Sequence, residues 1–200
     1  MTTGYEPLNT LKRLDKNIWI VDGPHIQFYG LPFPTRMTIV RLNNGELFIH
    51  SPIALTKALK REIEELGKVR HLVSPNWIHY ASIASWQKEF DNTLAWASPN
   101  VEARARKYKV EIEFDRSLSE EAEVEWAGEI DQLIAHGSKT HVEVVFFHKS
   151  SKTLIITDLI ENFEKKQFSW LTSKLLWLAG NLDPDGKAPI DMRLSFFGGK

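Results

Sequence analysis

Apolar positions in the first half of the chain switch repeatedly between strand-like and helix-like spacing. The runs NIWIVDG (17–23) and TRMTIVRL (35–42) read as strands. Asn43, Asn44 and Gly45 then supply residues that tolerate the positive φ of a tight hairpin turn, and ELFIH (46–50) follows as the returning strand. In TKALKREIEELG (56–67), Leu59, Ile63 and Leu66 share one helical face, with Thr56 placed to cap the start and Gly67 to end it. RHLVS (70–74) is a short apolar run stopped by Pro75, and the pattern after it predicts a helix over 81–90. TLAWAS (93–98) is a further strand, stopped by Pro99. Such β-α-β alternation predicts strands buried beneath helices, a layered α/β arrangement.

The second half reads differently. Residues 110–128 are acidic: VEIEF alternates as a strand would and SLSEEAEVEWAG has a Ser-x-x-Glu cap but few core positions, and the whole stretch reads as a loop with a marginal helix. From 129 onward EIDQLIAHG, HVEVVFFHK, a KSSK turn and TLIITD predict consecutive strands, a β-meander. A helix is expected over 166–179, with Trp170 and Trp177 as a core-facing i, i+7 pair, and RLSFF reads as a last strand after a Pro- and Gly-rich loop.

Composition narrows the chemistry. Two hundred residues with 42% hydrophobic and 26% charged content suit a single globular domain over 1–200 with one sizeable core. A net charge of −1 gives no overall attraction to nucleic acid or anionic membrane, and the basic run VEARARKYK (101–109) reads as a solvated helix face. The absence of cysteine removes disulfides, thiolate metal sites and thiol nucleophiles, so any metal must use His, Asp, Glu or Asn. Without a signal-peptide h-region or an 18-residue apolar stretch, the cytoplasm is the expected compartment. No P-loop, GxGxxG, GxSxG or HExxH pattern occurs.

Three blocks in order, RMTIVRLNNGELFIHSPI, VSPNWIH and EVVFFHKSSKTLIITDLIEN, resemble a domain-of-unknown-function family affiliated with the metallo-β-lactamase superfamily, over roughly residues 6–197. The resemblance implies a four-layer αββα sandwich with metals held by loops at one edge of the two sheets. It also implies where the metal motif should lie. Active members carry Thr-His-x-His-x-Asp-His after a strand; here Ser74 falls on the Thr, Pro75 and Trp77 on the first two His, His79 on the Asp and Tyr80 on the last His. Neither Pro nor Trp coordinates zinc in this way, so the resemblance points to a degenerate site rather than a dinuclear hydrolase. Asp158 matches the superfamily's bridging Asp at a strand end. His141 lies near the third-motif His, with His136 as competitor, and His50 stands where active members carry a supporting Asp. The pattern continues to a late His after a further helix, so with the chain ending at Gly198-Gly199-Lys200 the resemblance implies a form shortened at its C-terminus.

Each of these residues has a second reading. His79 is a metal or substrate ligand, or it packs between Trp77 and Tyr80 while Asn76 stabilises the turn. Asp158 is a ligand or a cap of the next segment. His141 alternates with Glu143 on one strand face, either as a ligand with a supporting carboxylate or as a wet strand edge. His50 replaces the supporting Asp or is a turn histidine. Asn76, His50, Trp77 and Tyr80 are expected near the pocket, with Trp77 and Trp86 flanking it, whereas His25, His71 and His148 read as structural or surface residues. Three functions therefore stay open. The first is a hydrolase using one zinc or iron ion held by some of His79, His141 and Asp158. The second is a metal-free member binding a small molecule or a protein, and the third a mononuclear iron oxygenase or redox protein. Less than about one tightly held transition metal per chain is expected.

Overall fold

The first four strands zip up as antiparallel neighbours because tight turns join them, and the next three can only add in parallel because helices join them. In the computed structural model, which describes residues 5–28, 31–138 and 141–196, β1 (Lys12–Asp15), β2 (Ile18–Phe28), β3 (Leu31–Arg41) and β4 (Glu46–His50) are followed by α1 (Lys57–Leu66) and β5 (Lys68–Ser74). Then come α2 (Ile83–Glu89), β6 (Leu94–Ala97), α3 (Val101–Lys107) and β7 (Arg116–Ser117). The seven strands lie side by side in chain order. Pairing is antiparallel up to β4 and parallel from there.

Both faces of this sheet are buried, and the alternation of each strand sorts its residues between them. Val21, Met37, Ile39, Leu47, Ile49, Leu72 and Ala95 face α1 and α2, packing on Leu59, Ile63, Ile83 and Trp86. Their neighbours Ile18, Val40, Phe48, Val73 and Trp96 face the other way, onto Trp126, Ile130, Val144, Phe146 and Ile155. Those last residues belong largely to a second, three-stranded antiparallel sheet, in which β8 (Ile130–Ala135) and β10 (Thr153–Ile155) flank β9 (Glu143–His148), the expected meander. At about 1.5–3 kcal/mol per fully buried large side chain, these two cores carry the stability.

The stretch 110–128 is a loop, as expected, though its marginal helix does not form: the chain there pairs only at β7, while Ile112 and Phe114 contribute side chains to the core without a ladder. Two other expectations fail for physical reasons. RLSFF is helical. Helix α4 (Trp170–Ala179) is followed by α5 (Ile190–Phe196), where Arg193 N donates to Pro189 O at 2.8 Å and acidic Asp191 sits in the first turn. Met192 is buried and Ser195 and Phe196 are half-buried, so the inward positions follow a helical spacing rather than a period of two. Phe197 and the terminal Gly-Gly-Lys lie outside the described residues. Trp170 and Trp177 of α4 are 70% and 66% exposed, so they are surface residues and not the core pair the spacing suggested.

The start of the first crossover shows how closely the chain is fitted. Thr56 Oγ1 accepts from Leu59 N at 3.1 Å, and at the other end Gly67 passes so near the hairpin turn that a Cβ there would lie 2.4 Å from Gly45 O. Gly67→Ala is therefore expected to cost about 2–3 kcal/mol in urea unfolding. Gly128→Ala, whose Cβ would meet nothing within 4 Å, should stay within about 0.5 kcal/mol of the parent. Equal effects would contradict the close approach.

Candidate functional site

The site forms where the first sheet is stitched to the second. Pro75, just past β5, accepts from Val144 N of β9 at 2.8 Å, and Asn76 bridges Glu143 in the same antiparallel sense. Asn76 is fully buried. Its Oδ1 accepts from Ile78 N at 3.0 Å, an Asx turn that fixes which way the carboxamide faces. The amide nitrogen consequently points into a ring of oxygens: Asp158 Oδ2 at 2.7 Å, Thr157 Oγ1 at 2.9 Å and Glu143 Oε2 at 3.3 Å.

Glu143, the first residue of β9, is also fully buried. Its carboxylate accepts backbone N–H bonds from Thr157 (2.7 Å), Asp158 (2.8 Å) and Leu159 (3.1 Å), which shapes the loop after β10 and presents Asp158. His141 Nε2 approaches the same carboxylate at 3.4 Å. Burial alone would raise the Glu143 carboxyl, but His141 and Thr157 hold it below the usual range.

His79, in the loop after β5, is held at both ends. Its Nδ1 lies 2.5 Å from Ser51 Oγ and its Nε2 lies 3.2 Å from Asp158 Oδ2. Burial would lower the imidazole, yet the Asp158 carboxylate keeps it above its ordinary value. Asp158 in turn is pushed up by burial and more strongly down by His79, His141 and the Asn76 amide, and ends below its ordinary value. Glu161, three residues on, is raised to about 7 by burial and by the nearby Asp158 and Asp191 carboxylates. His50, at the end of β4, is buried with its ring edge-on to Phe146 and its Nε2 without a hydrogen-bond partner among the described residues. Burial, and then the neighbouring His79, press it down to about 3.

Four sequence-singled residues thus share one cluster: Asn76, His79, His141 and Asp158, with His50 electrostatically coupled to it. Trp77 and Tyr80 instead pack with Ala97, Val101 and Ala105 beside α3, where Arg104 lies over the Trp77 ring at 4.5 Å. Trp86 belongs to the core under α2 and donates to Ile53 O at 2.7 Å. His136 pairs with Glu120 on the surface. Reading the chain missed Ser51, Thr157 and Glu161, and reduced Glu143 to a partner of His141. No local signal marks Ser51 or Thr157, which act through contacts far away in sequence.

Ligating atoms of His141, Glu143 and Asp158 lie within 4.8 Å of one another, close enough to hold one metal ion. The lone pairs are a separate question. Both Glu143 oxygens already accept backbone N–H bonds, Asp158 Oδ2 accepts from Asn76 and His79, and His79 stands outside the group of three. The Asn76 amide, 2.7 Å from Asp158 Oδ2 and 3.3 Å from Glu143 Oε2, stands among the same oxygens and competes with an ion for them.

A family model described as "Domain of unknown function (DUF4336)" matches residues 15–178. Among solved structures, a metallo-β-lactamase from Pontibacter korlensis aligns with a TM-score of 0.62 at 15% identity, covering 96% of this chain and 99% of that one. The DIM-1 metallo-β-lactamase gives 0.61 at 19% identity over 76% and 70%. The FIM-1 enzyme from Pseudomonas aeruginosa, in its mono-zinc form, gives 0.60 at 12% over 76% and 70%. At these identities the likeness is one of fold: the chain has the metallo-β-lactamase fold. No curated protein matches the chain.

The histidines set opposite pH dependences. His79, raised, stabilises fully below its unfolded value of 6.5 and loses this as pH rises through its folded value; Asp158, depressed, stabilises above 3.8 and loses this as pH falls. Their pair is therefore worth most between 3.8 and 6.5. His50 works against them, because the unfolded chain takes up its proton near 6.5 and the folded chain not until about 3. From pH 7 to 5 this one residue should remove roughly 2 kcal/mol of stability. Urea unfolding at pH 5, 6 and 7 should show a slope flatter by about one proton in His50→Phe; an unchanged slope would contradict a buried neutral His50.

Proposed function

The chain belongs to the DUF4336 family, and from that membership, the fold and the donor accounting above we propose that it is a metal-independent member of the metallo-β-lactamase fold. In this reading it binds a small polar molecule at the sheet edge where Asn76, His79, His141 and Asp158 meet. The observation that carries it is the Asn76 amide, held by its Asx turn among three oxygens at 2.7–3.3 Å. An N–H donor there does electrostatically part of what a cation would do, and His79 Nε2, 3.2 Å from Asp158 Oδ2, supplies a second N–H donor beside it. His79 and Asp158 keep 25% and 30% of their side chains exposed, which leaves a ligand something to touch. The chain's net charge of −1 supports a small molecule over nucleic acid. No helix among the described residues is long and apolar enough to cross a membrane.

The spacing of His141, Glu143 and Asp158 favours a second reading, a hydrolase using one zinc or iron ion. One measurement separates the two. Protein purified without chelator should carry less than about one zinc or iron per chain by elemental analysis, and EDTA should leave its melting temperature unchanged. Asn76→Asp, which swaps the donor for a carboxylate beside Asp158 and Glu143, should gain zinc-dependent stabilisation of about 2–3 kcal/mol at 100-fold excess over its Kd. A tightly held ion in the parent protein, removed by EDTA with loss of stability, would establish the second reading in place of the first.

A further inference from the structure

We propose that Ser51, His79 and Asp158 form a nucleophile, base and orienting acid, and that the site performs acyl transfer from small esters. The proposal rests on the metal-independent reading and gives it a reaction. The three residues stand in line, with Ser51 Oγ 2.5 Å from His79 Nδ1 and His79 Nε2 3.2 Å from Asp158 Oδ2. The partners decide the role of each ring nitrogen. Nε2 faces a carboxylate, an acceptor only, so it carries the proton. The one atom of a neutral His79 able to accept a proton is then Nδ1, and it faces the Ser51 hydroxyl. A nucleophile within reach of a base whose far side is fixed by a third group is the arrangement covalent catalysis needs, and it is identified by geometry rather than chain order.

A second, independent observation concerns the backbone. Ser51 has φ of +55°, while the other non-glycine residues with positive φ among those described are Asn and Lys, mostly in turns. A serine in this region costs of order 1 kcal/mol, the more unexpected because Pro52 follows and favours extended backbone before it. Ser51 N donates to Val73 O at 2.9 Å, so the kink is held by pairing to β5. Its effect is to turn Oγ off the end of β4 toward the loop bearing His79. Strain of this kind collects at functional positions. Ser51 is 6% exposed, against 25% and 30% for the His79 and Asp158 side chains, which restricts the acyl group to a small one.

The step balances within the chain and its substrate. Ser51 Oγ bonds to the ester carbonyl carbon while its proton passes to His79 Nδ1; Nε2 keeps its own proton, donated in a hydrogen bond to the Asp158 carboxylate, which stabilises the imidazolium. The carbon–oxygen bond to the alcohol breaks, and the departing oxygen takes the proton from Nδ1. Water then attacks the acyl-serine, gives its proton to Nδ1, and Ser51 leaves by regaining it. Ester and water become acid and alcohol.

The test needs no knowledge of the natural substrate. The full chain, in EDTA, is treated with p-nitrophenyl acetate and separately with diisopropyl fluorophosphate, and the adduct is located by peptide mass analysis. The expected result is one adduct per chain, on Ser51. It should vanish in Ser51→Gly, whose backbone accepts φ of +55° and so keeps the fold, and form about 100-fold more slowly in His79→Gln. Because the chain has no cysteine, Ser51→Cys offers a second readout: iodoacetamide should label it, and adding His79→Gln should slow labelling about tenfold or more. No adduct on Ser51 in either reagent, or a Ser51→Cys thiol alkylated no faster with His79 than without it, would overturn the proposal. Metal content of the protein before EDTA is added tells that failure from a failure of the metal-independent reading, since the latter appears as a bound ion and as labelling that differs with and without EDTA.

Discussion

One fully buried carboxylate organises the edge of this fold. Glu143 is taken out of water at a cost of several kcal/mol, and the cost is offset only because three successive backbone N–H groups, at 157–159, converge on it with the Asn76 amide. That single grip does three things at once. It bends the chain after β10, it sets Asp158 at a fixed height, and it ties the loop after β5 to the strand that opens the second half of the meander. Without it, three half-buried backbone donors would lose their partner, each at up to about 1–3 kcal/mol.

Everything chemical at the site depends on how the remaining charge is shared. Asn76 spends its donors on Asp158, Thr157 and Glu143, so the second carboxylate, Asp158, is left to pair with His79, and His79 is left to meet Ser51. His50, pressed to the neutral form beside them, adds no charge, and Glu161, raised to about 7, withdraws part of its own near neutral pH. The loop after β5, with Pro75 and Trp77 where the resemblance expects histidines, is part of a hydrogen-bonded cluster.

The layered frame was legible because it rests on local signals. ELFIH coincides with β4, the Thr56 cap and the Ile63 face of α1 are as the periodicity gives them, and the meander comes from alternation and a polar turn. The chain also named four members of the cluster. It hid the groups that only tertiary geometry defines. Glu143 meets amides fourteen to sixteen residues later. The left-handed Ser51 runs against the preference that Pro52 imposes. The short apolar run RLSFF fits strand and helix equally until the buried Met192 decides it.

The central claim is that the Asn76 amide occupies the position where a cation would otherwise sit. Crystals grown with excess zinc and measured for anomalous scattering at the zinc edge test it most directly. No anomalous peak is expected between His141, Glu143 and Asp158, with Asn76 Nδ2 still in contact with Asp158. A peak about 2 Å from Asp158 and His141, with the Asn76 side chain swung aside, would contradict it.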